Sequence, residues 1–205
     1  MRVIEPSFEI IGEVNPALIM RELELIGRVC YKSENRITEG SADKFLASII
    51  KRGHEAVIEH RSITVKIICD RGVTHEIVRH RIASYCQEST RYCNYANDKF
   101  GNELTFIKPF YWVDEPGKYE LWLDTMQQIE ENYIKLLNIG ATPEEARSIL
   151  PNSLKTDIVM TMNLREWRHF FRLRCAPQAH PQMREVAVPL LEHMKELLPI
   201  MFSDL

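Results

Sequence analysis

The stretch from Arg79 to Tyr92, RHRIASYCQESTRY, concentrates cationic and hydroxyl side chains in a short length of chain. Between these two residues Glu88 is the only carboxylate. So many like charges repel one another in a folded protein, so an anion or another acidic group must offset them. A guanidinium group binds phosphate through two parallel hydrogen bonds, and serine hydroxyls can add donors. The stretch therefore predicts a fold that presents this segment to a phosphate or another polyanion.

Composition limits the classes of protein that fit. The 205-residue chain has a formal net charge of −3, with 45% hydrophobic and 27% charged residues. These values are typical of one soluble globular domain over residues 1–205, and the net charge argues against nucleic acid as a partner. No apolar run approaches the roughly 18 to 20 residues of a membrane span. The N-terminal segment MRVIEPSFEI also lacks the apolar core of a secretion signal, so the sequence indicates a cytoplasmic protein with no membrane partner.

Cysteine, histidine and glycine patterns exclude several kinds of site. The five cysteines include no CxxC pair, which favours reduced thiols over a disulfide framework or a zinc knuckle. His54 and His60 in HEAVIEH are six residues apart, so one helical face would not present both to a metal, and we expect no metal site. The chain also has no GxGxxG motif, which argues against a Rossmann-type dinucleotide site.

Hydrophobic periodicity predicts a mixture of strands and helices, which we interpret as an α+β fold with an antiparallel-type sheet and flanking helices. Residues 82–101 show no sustained period and are predicted to form an ordered loop. The predicted strands lie at 8–14, 62–67, 104–108 and 153–162. The predicted helices lie at 16–31, 41–52, 72–80 and 119–137, followed by a short helix that a capping box at Thr142 opens and by two C-terminal helices.

The first of those C-terminal helices carries a further signal. Asn163 is suited to the N-cap position, and Glu166 three residues later would complete a capping box. At 100° per residue, one face of this helix is basic and would usually be a solvated surface, whereas the other is aromatic. Arg174 lies within the aromatic sector, where an arginine is costly unless it is paired with a carboxylate or a bound ligand. The basic face comprises Arg165, Arg168, His169 and Arg172, and the aromatic face Trp167, Phe170 and Phe171.

Three separated motifs, in order along the chain, resemble the flavin-dependent thymidylate synthase family. They are HEAVIEH from His54, RHRIASYCQESTRY from Arg79, and MTMNLREWRHFFRLR ending at Arg174. The resemblance implies an enzyme that methylates dUMP to dTMP. In the family, methylenetetrahydrofolate donates the carbon, FADH2 donates the hydride and NADPH is the reductant. The resemblance also implies a non-Rossmann flavin site and a homotetramer whose active sites are shared between chains.

The same resemblance assigns roles to individual positions. Arg174 is the implied catalytic residue, which polarises the pyrimidine ring, and Ala56 would offer a backbone contact. The implied FAD contacts are Ala56, Arg79, His80, Arg81, Gln87, Asn163, Leu164, Arg165 and His169. The implied nucleotide contacts are Glu76, Ile77, Val78, Arg79, Gln87, Glu88, Ser89, Thr90, Arg91, Arg147 and Arg174.

Two positions depart from the family pattern. Cys86 and Gln87 stand where Asn and Glu are more usual, so a hydrogen-bonding role replaces any role that needs a carboxylate at position 87. Glu88 could supply the charge instead. Ser89 could be a nucleophile, but a serine without an evident partner base is more often a phosphate ligand.

Two rival interpretations remain open. One is a flavin- and nucleotide-binding homologue with weakened catalysis. The other is a phosphate-binding nucleic-acid module, which predicts salt-sensitive binding of oligonucleotides.

Overall fold

The computed structural model describes residues 1–95 and 101–205, so part of the predicted loop at 82–101 lies outside the described residues. The described chain forms two compact units. The first unit comprises Met1–Phe8, Ile67–Arg79 and Tyr85–Val159, and the second comprises Glu9–Lys66, His80–Ser84 and Met160–Leu205. Each unit is built from discontinuous segments, and the single domain over 1–205 stays a prediction. Among the helices of the described residues, none combines the length and apolar character needed to cross a bilayer.

The strands fall into two sheets. One contains β2, β3, β6 and β4 in that spatial order, and the other pairs β1 with β5. The bounds are Arg2–Ile4 (β1), Ser7–Ile11 (β2), Ser62–Asp70 (β3), Ala83–Gln87 (β4), Thr105–Ile107 (β5) and Lys155–Asn163 (β6). β4 lies within the segment that we predicted to be a loop, and that prediction is wrong for Ala83–Gln87. Its five residues alternate strictly between half-buried and exposed, but none is fully buried, which explains the missing periodic signal.

β3 and β6 run antiparallel to each other. The N–H of Leu164, just after β6, donates to the carbonyl of Arg61, just before β3, at 2.9 Å. At the other end, the N–H of Arg71 donates to the carbonyl of Leu154 at 3.1 Å. The predicted mixed fold with antiparallel pairing is thus confirmed for these strands. The smaller sheet differs, because β1 pairs with β5 in parallel.

The helices agree closely with the predicted periodicity. One departure matters for the site: α3 ends at Ile77, so Arg79 lies beyond the helix and not within its last turn as predicted. The bounds are Pro16–Val29 (α1), Ser41–Lys51 (α2), Arg71–Ile77 (α3), Pro116–Asn138 (α4), Pro143–Ala146 (α5), Leu164–Arg174 (α6), Pro181–Leu197 (α7) and Pro199–Phe202 (α8). Residues Glu55–His60 form a 3₁₀ helix.

The first unit has an aromatic core built on α4. Trp122, Met126 and Tyr133 from this helix cluster with Phe106 of β5 and with Leu154. The capping box before α5 is present, with the Thr142 hydroxyl accepting from the N–H of Glu145 and the Glu145 carboxylate accepting from the N–H of Thr142. The apolar side chains whose helical spacing predicted α4 thus form one packed stripe, and the predicted cap is also present.

The second unit is centred on the aromatic face of α6. Trp167 and Phe171 stack with ring centroids 5.6 Å apart, and Phe170 packs edge-on to both. The indole N–H of Trp167 donates to the carbonyl of Ile63 in β3 at 3.1 Å. These contacts fix the rotation of α6 about its axis. They therefore determine which of its polar side chains reach the surface.

Candidate functional site

The start of α6 is set by Asn163 at the end of β6. Its side-chain oxygen accepts the N–H of Glu166 at 2.8 Å, as the N-cap prediction requires. With Trp167, Phe170 and Phe171 buried, the first two turns leave Arg165 and His169 exposed. The local sequence thus directs one guanidinium and one imidazole outward from the N-terminal half of the helix.

His80 is the centre of a buried polar chain beside α6. Its side chain lies within hydrogen-bond distance of Glu166, with Nδ1 3.2 Å from Oε1. Its Nε2 accepts a hydrogen bond from the Nε–H of Arg174 at 3.1 Å. The ring packs against Phe170 and His169, at centroid distances of 5.0 and 5.5 Å. The structure therefore brings together three residues that the resemblance assigned to the site: His80, His169 and Arg174.

This environment favours the neutral form of His80. Burial lowers the pKa of His80 below its ordinary value, the hydrogen bond with Glu166 opposes that shift, and the charge of Arg174 adds to it. Arg174, predicted to need a carboxylate or a ligand, donates its Nε–H to this imidazole. The imidazole can accept that bond because Nε2 carries a lone pair in one of the two neutral tautomers.

The basic face of α6 is not uniformly solvated. Arg168 is only 1% exposed, which corrects its predicted place on a solvated surface. Its two Nη nitrogens donate to the carboxylate of Asp204 at 2.7 and 2.6 Å, and its Nε donates to Glu55 at 3.2 Å. Paired charges of this kind can be buried because the partner carboxylates satisfy the guanidinium. Local periodicity could not reveal a partner 36 residues away.

The two other arginines of this face pair with carboxylates near the surface. Arg165 contacts Glu59 and lies 3.6 Å from a Glu55 oxygen, and Arg172 donates to Glu55 at 3.2 Å. Glu55 and Glu59 were not among the predicted site residues. Their signal was present in HEAVIEH, where carboxylates four residues apart could face a basic stripe of matching spacing.

A cavity of about 440 Å³ lies at this face of the second unit. It is lined by Glu55, Glu59, Ile82, Asn163, Arg165, Glu166, His169 and Arg172. Asn163, Arg165 and His169 were predicted flavin contacts, so the structure places those three predicted residues around one space. Ile82, which is 67% exposed, is an apolar wall that the sequence did not single out.

Two arginines and a histidine of the cavity can bind a phosphate-bearing cofactor with an aromatic part, although three carboxylates, Glu55, Glu59 and Glu166, share the lining. Arg165 and Arg172 have side chains 52% and 46% exposed, and His169 adds an exposed aromatic ring. In the structure these arginines pair with Glu55 and Glu59. The pair between Arg165 and Glu59 is open to water. Such exposed pairs contribute only about 0.2–1 kcal/mol, so a phosphate can replace a carboxylate at little cost. Arg165, Arg172, Asn163 and His169 could therefore hold a flavin dinucleotide.

The same cluster has donor atoms that a metal could use. One ligand atom from each of His80, Glu166 and His169 lies within 4.8 Å of the others. A cation held by His80 and Glu166 would, however, lie next to the guanidinium of Arg174 and would have to displace the proton between His80 and Glu166. The prediction of no metal site stays a prediction.

Gln87 and Glu88 in the first unit make specific contacts within the chain. The amide nitrogen of Gln87 donates to the hydroxyls of Thr74 and Thr156 at 3.1 and 3.4 Å. Glu88 accepts from the Tyr95 hydroxyl at 2.7 Å and from Lys155 at 3.0 Å. Gln87 thus has the predicted hydrogen-bonding character, and the charge of Glu88 is offset by Lys155. Their contacts to a nucleotide stay predictions.

The predicted phosphate ligands of the first unit lie around α5. Arg91 forms an ion pair with Glu144 of α5, with Nε 3.1 Å from a carboxylate oxygen, and its backbone N–H donates to the Ser89 hydroxyl at 3.3 Å. Arg147 caps the C-terminal end of the same helix and is exposed. The structure therefore brings Ser89 and Arg91 to the helix that Arg147 ends. Thr90, between them, is buried.

The remaining predicted contacts differ in accessibility. The side chains of Ile77 and Leu164 are fully buried, so these residues could touch a ligand only through the backbone. The carbonyl of Ile77 already accepts from the Tyr85 hydroxyl at 2.9 Å. Glu76 is half-buried, and the exposed members are Ala56, Val78, Arg79 and Arg81.

Comparison with known proteins identifies the family of this chain. Residues 20–200 match the family described as thymidylate synthase complementing protein. The flavin-dependent thymidylate synthase of Pyrococcus furiosus is 43% identical over 164 residues, covering 80% of this chain and 66% of that protein. The protein of the same name from Geobacter sulfurreducens is 35% identical over 187 residues, covering 88% of this chain and 79% of that protein.

A solved structure shares the fold. It is the UMP/dUMP methylase PolB from Streptomyces cacaoi, bound with 5-Br UMP, with a TM-score of 0.79 and 20% identity. The alignment covers 99% of this chain and 95% of that one. The likeness to PolB concerns the fold alone, whereas the sequence relatives show the family. The chain belongs to the flavin-dependent thymidylate synthase family of enzymes.

Proposed function

We propose that this chain is a flavin-dependent thymidylate synthase that converts dUMP to dTMP, with methylenetetrahydrofolate as carbon donor, FAD as flavin and NADPH as reductant. The observation that carries the proposal is the arrangement on α6. There Asn163, Arg165 and His169 line one cavity, while Arg174 is oriented by a hydrogen bond to the buried His80. The names of the sequence relatives give the activity, and these side chains give it a physical basis.

Arg174 is the residue that we assign to transition-state stabilisation. Its guanidinium carries a fixed charge and is partly withdrawn from water, so it acts strongly on negative charge that develops in a pyrimidine ring. The Nε bond to His80 restricts the plane of the group. Positioning and electrostatics are thus the contribution of the protein. Reduced flavin, when bound, supplies the hydride that completes the methyl group.

For the phosphate of dUMP we propose Ser89, Arg91 and Arg147. Arg91 and its partner Glu144 have side chains 49% and 56% exposed, so this pair contributes little and is open to exchange. A dianionic phosphate would replace the carboxylate and gain a bidentate contact. Gln87, whose amide already donates hydrogen bonds, would serve the nucleotide as a neutral group.

We also propose a flavin site without a glycine-rich turn, in a cytoplasmic homotetramer whose active sites are shared between chains. Exposed arginines at positions 79, 81 and 165 support a flavin site of this kind, since they can contact the phosphates of FAD directly. Support for the assembly comes from large apolar side chains that are exposed on the second unit, including Ile82 at 67% in the cavity wall and Leu173 at 48% on α6. Such side chains commonly become buried between subunits.

Turnover is the direct test. The purified chain, supplied with dUMP, methylenetetrahydrofolate, FAD and NADPH, should form dTMP, and omission of FAD should abolish it. Arg79→Ala and Arg165→Ala should lose flavin binding in a fluorescence titration. Arg184→Ala is the matched control, since Arg184 is exposed on α7 outside the cavity, and it should bind flavin normally.

The replacement of the usual Glu by Gln87 favours one alternative, a flavin- and nucleotide-binding homologue with weakened catalysis. Its prediction is binding of both FAD and dUMP without dTMP formation. If the chain neither perturbs flavin fluorescence nor forms dTMP, both assignments are rejected.

A further inference from the structure

His80 has both ring nitrogens engaged, and the chemistry of the partners decides where its proton lies. The side chain of Arg174 has hydrogen-bond donors and no acceptor. Nε2 of His80, 3.1 Å from the Arg174 Nε, must therefore be an unprotonated acceptor. In a neutral imidazole the proton is then on Nδ1, which faces the carboxylate of Glu166 at 3.2 Å. The geometry specifies the Nδ1–H tautomer.

Glu166 is held firmly enough to impose this tautomer. It is 9% exposed, and its backbone N–H is bonded to the N-cap oxygen of Asn163. An ionised carboxylate only accepts hydrogen bonds, so it selects the nitrogen that carries the proton. Phe170 and His169 pack on the ring and restrict its rotation. The chain Glu166, His80, Arg174 therefore has one consistent set of donors and acceptors.

The opposite tautomer would disrupt Arg174. With the proton on Nε2, an N–H of His80 would face the N–H of Arg174, and two donors at 3.1 Å repel each other. The guanidinium would have to leave its present orientation. Whether the group at position 166 is a carboxylate or an amide therefore affects the orientation of Arg174, although none of the described contacts joins Glu166 to Arg174.

We propose that Glu166 is a positioning residue, which orients Arg174 by fixing the tautomer of His80. Glu166 itself has no direct part in the reaction. The role of Arg174 in turnover rests on the proposed function, whereas the tautomer of His80 does not. The general pattern is a carboxylate that fixes the tautomer of a histidine, so that its other nitrogen serves the reacting group.

Glu166→Gln tests this, because glutamine has nearly the same shape but can donate as well as accept. We expect kcat for dTMP formation to fall by about tenfold or more. KM for dUMP should change by less than about threefold, since the group lost acts mainly in the transition state. In ¹⁵N-histidine spectra, with the His80 signal identified by its loss in His80→Asn, wild type should show the Nδ1–H tautomer and Glu166→Gln a shift toward the Nε2–H form. Glu166→Asp, which keeps the carboxylate, should retain the wild-type tautomer.

Glu24→Gln is the matched control. Glu24 is a buried carboxylate, 2% exposed, which binds Arg28 and Ser41 away from the cavity. Its change should leave kcat and the His80 spectrum as in wild type. An Nε2–H or doubly protonated His80 in wild type at neutral pH would overturn the proposal, whatever the variants do. An unchanged kcat in Glu166→Gln would also overturn it, as would failure of both Glu166 variants to fold. Absence of dTMP formation by wild type would instead reject the proposed function and leave the spectral test standing.

Discussion

At the scale of single residues, Arg174 combines a fixed charge with a fixed plane. The Nε–H is bonded to His80, and this bond uses an edge of the guanidinium that lysine lacks. Arg174→Lys should therefore keep the charge but lose the orientation. We expect turnover of dUMP to fall at least about tenfold, or 1.4 kcal/mol in the activation free energy, with an unchanged melting temperature. Arg184→Lys on α7 serves as the control, and near-normal turnover in Arg174→Lys would show that the planar group is not needed.

The cysteines offer a second test at this scale. None of the five forms a disulfide within the described residues. Burial raises the pKa of the Cys175 thiol to about 11 and also raises the pKa of Cys69, which disfavours the reactive thiolate at both. Cys93 is half-buried and Cys86 is exposed on β4, but the neighbour of Cys86, the half-buried Gln87, points to the other face of the strand.

A variant with Cys86→Ser and Cys93→Ser should therefore keep flavin-dependent dTMP formation within about tenfold of wild type. The reason is that no thiol is needed when the hydride comes from a flavin and the ring is polarised by Arg174. Product formation is measured with saturating FAD. Abolished synthesis with normal flavin binding and normal stability would point to covalent catalysis by a cysteine.

At the scale of helices and strands, the periodicity of apolar residues predicted those elements whose packing depends on residues close together in the sequence. The stripe on α4 and the aromatic face of α6 were both predicted, because each face packs continuously along a long helix. β4 was missed, since only Ala83, Tyr85 and Gln87 are half-buried and none is a strong apolar signal. Arg168 was placed on the wrong kind of surface, because its burial depends on Asp204, near the far end of the sequence.

The pairing of Arg168 leads to a prediction about the stability of α6. A lysine at this position cannot make the bidentate contact to Asp204 and the third contact to Glu55 at once. Arg168→Lys should lower the free energy of unfolding by at least about 2 kcal/mol. Arg172→Lys is the control, because Arg172 is 46% exposed, and it should change stability by less than about 0.5 kcal/mol. Urea denaturation measures both, and equal effects would contradict the importance of the buried contact.

The N-cap of α6 allows stability and binding to be separated. Asparagine and aspartate cap helices about equally well, so Asn163→Asp should keep the melting temperature. It would also add a negative charge to the cavity, which should weaken FAD binding. Asn163→Ala should instead lower the unfolding free energy by about 1 kcal/mol. Calorimetric titration with FAD measures the effect on binding, and thermal melts measure the effect on stability. If Asn163→Asp binds FAD as tightly as wild type, the phosphates of FAD do not bind beside residue 163.

At the scale of the whole molecule, the candidate site was predictable in its basic residues but not in its acidic ones. Arg165, His169 and Arg174 stand out in one helix, and the family motifs identify them. Glu55 and Glu59 come from a segment more than 100 residues earlier, and only the packing of the second unit brings them to Arg165 and Arg172. The spacing of the two carboxylates in HEAVIEH matches the basic face of α6, but it does not specify that the two segments pack against each other.

Ligand binding to the intact protein supplies the last prediction. A cofactor that binds only the native state stabilises it by about 2.7 kcal/mol at 100 times its Kd. For a chain of this length, that free energy corresponds to a rise in melting temperature of roughly 5–10 °C. We therefore expect FAD to raise the melting temperature by this amount. Arg165→Ala should show little or no rise at the same FAD concentration, because the cavity loses a guanidinium, whereas Arg184→Ala should match wild type. Equal rises in all three proteins would show that FAD binds without Arg165. The absence of any rise in wild type at saturating FAD would show that the native protein does not bind FAD.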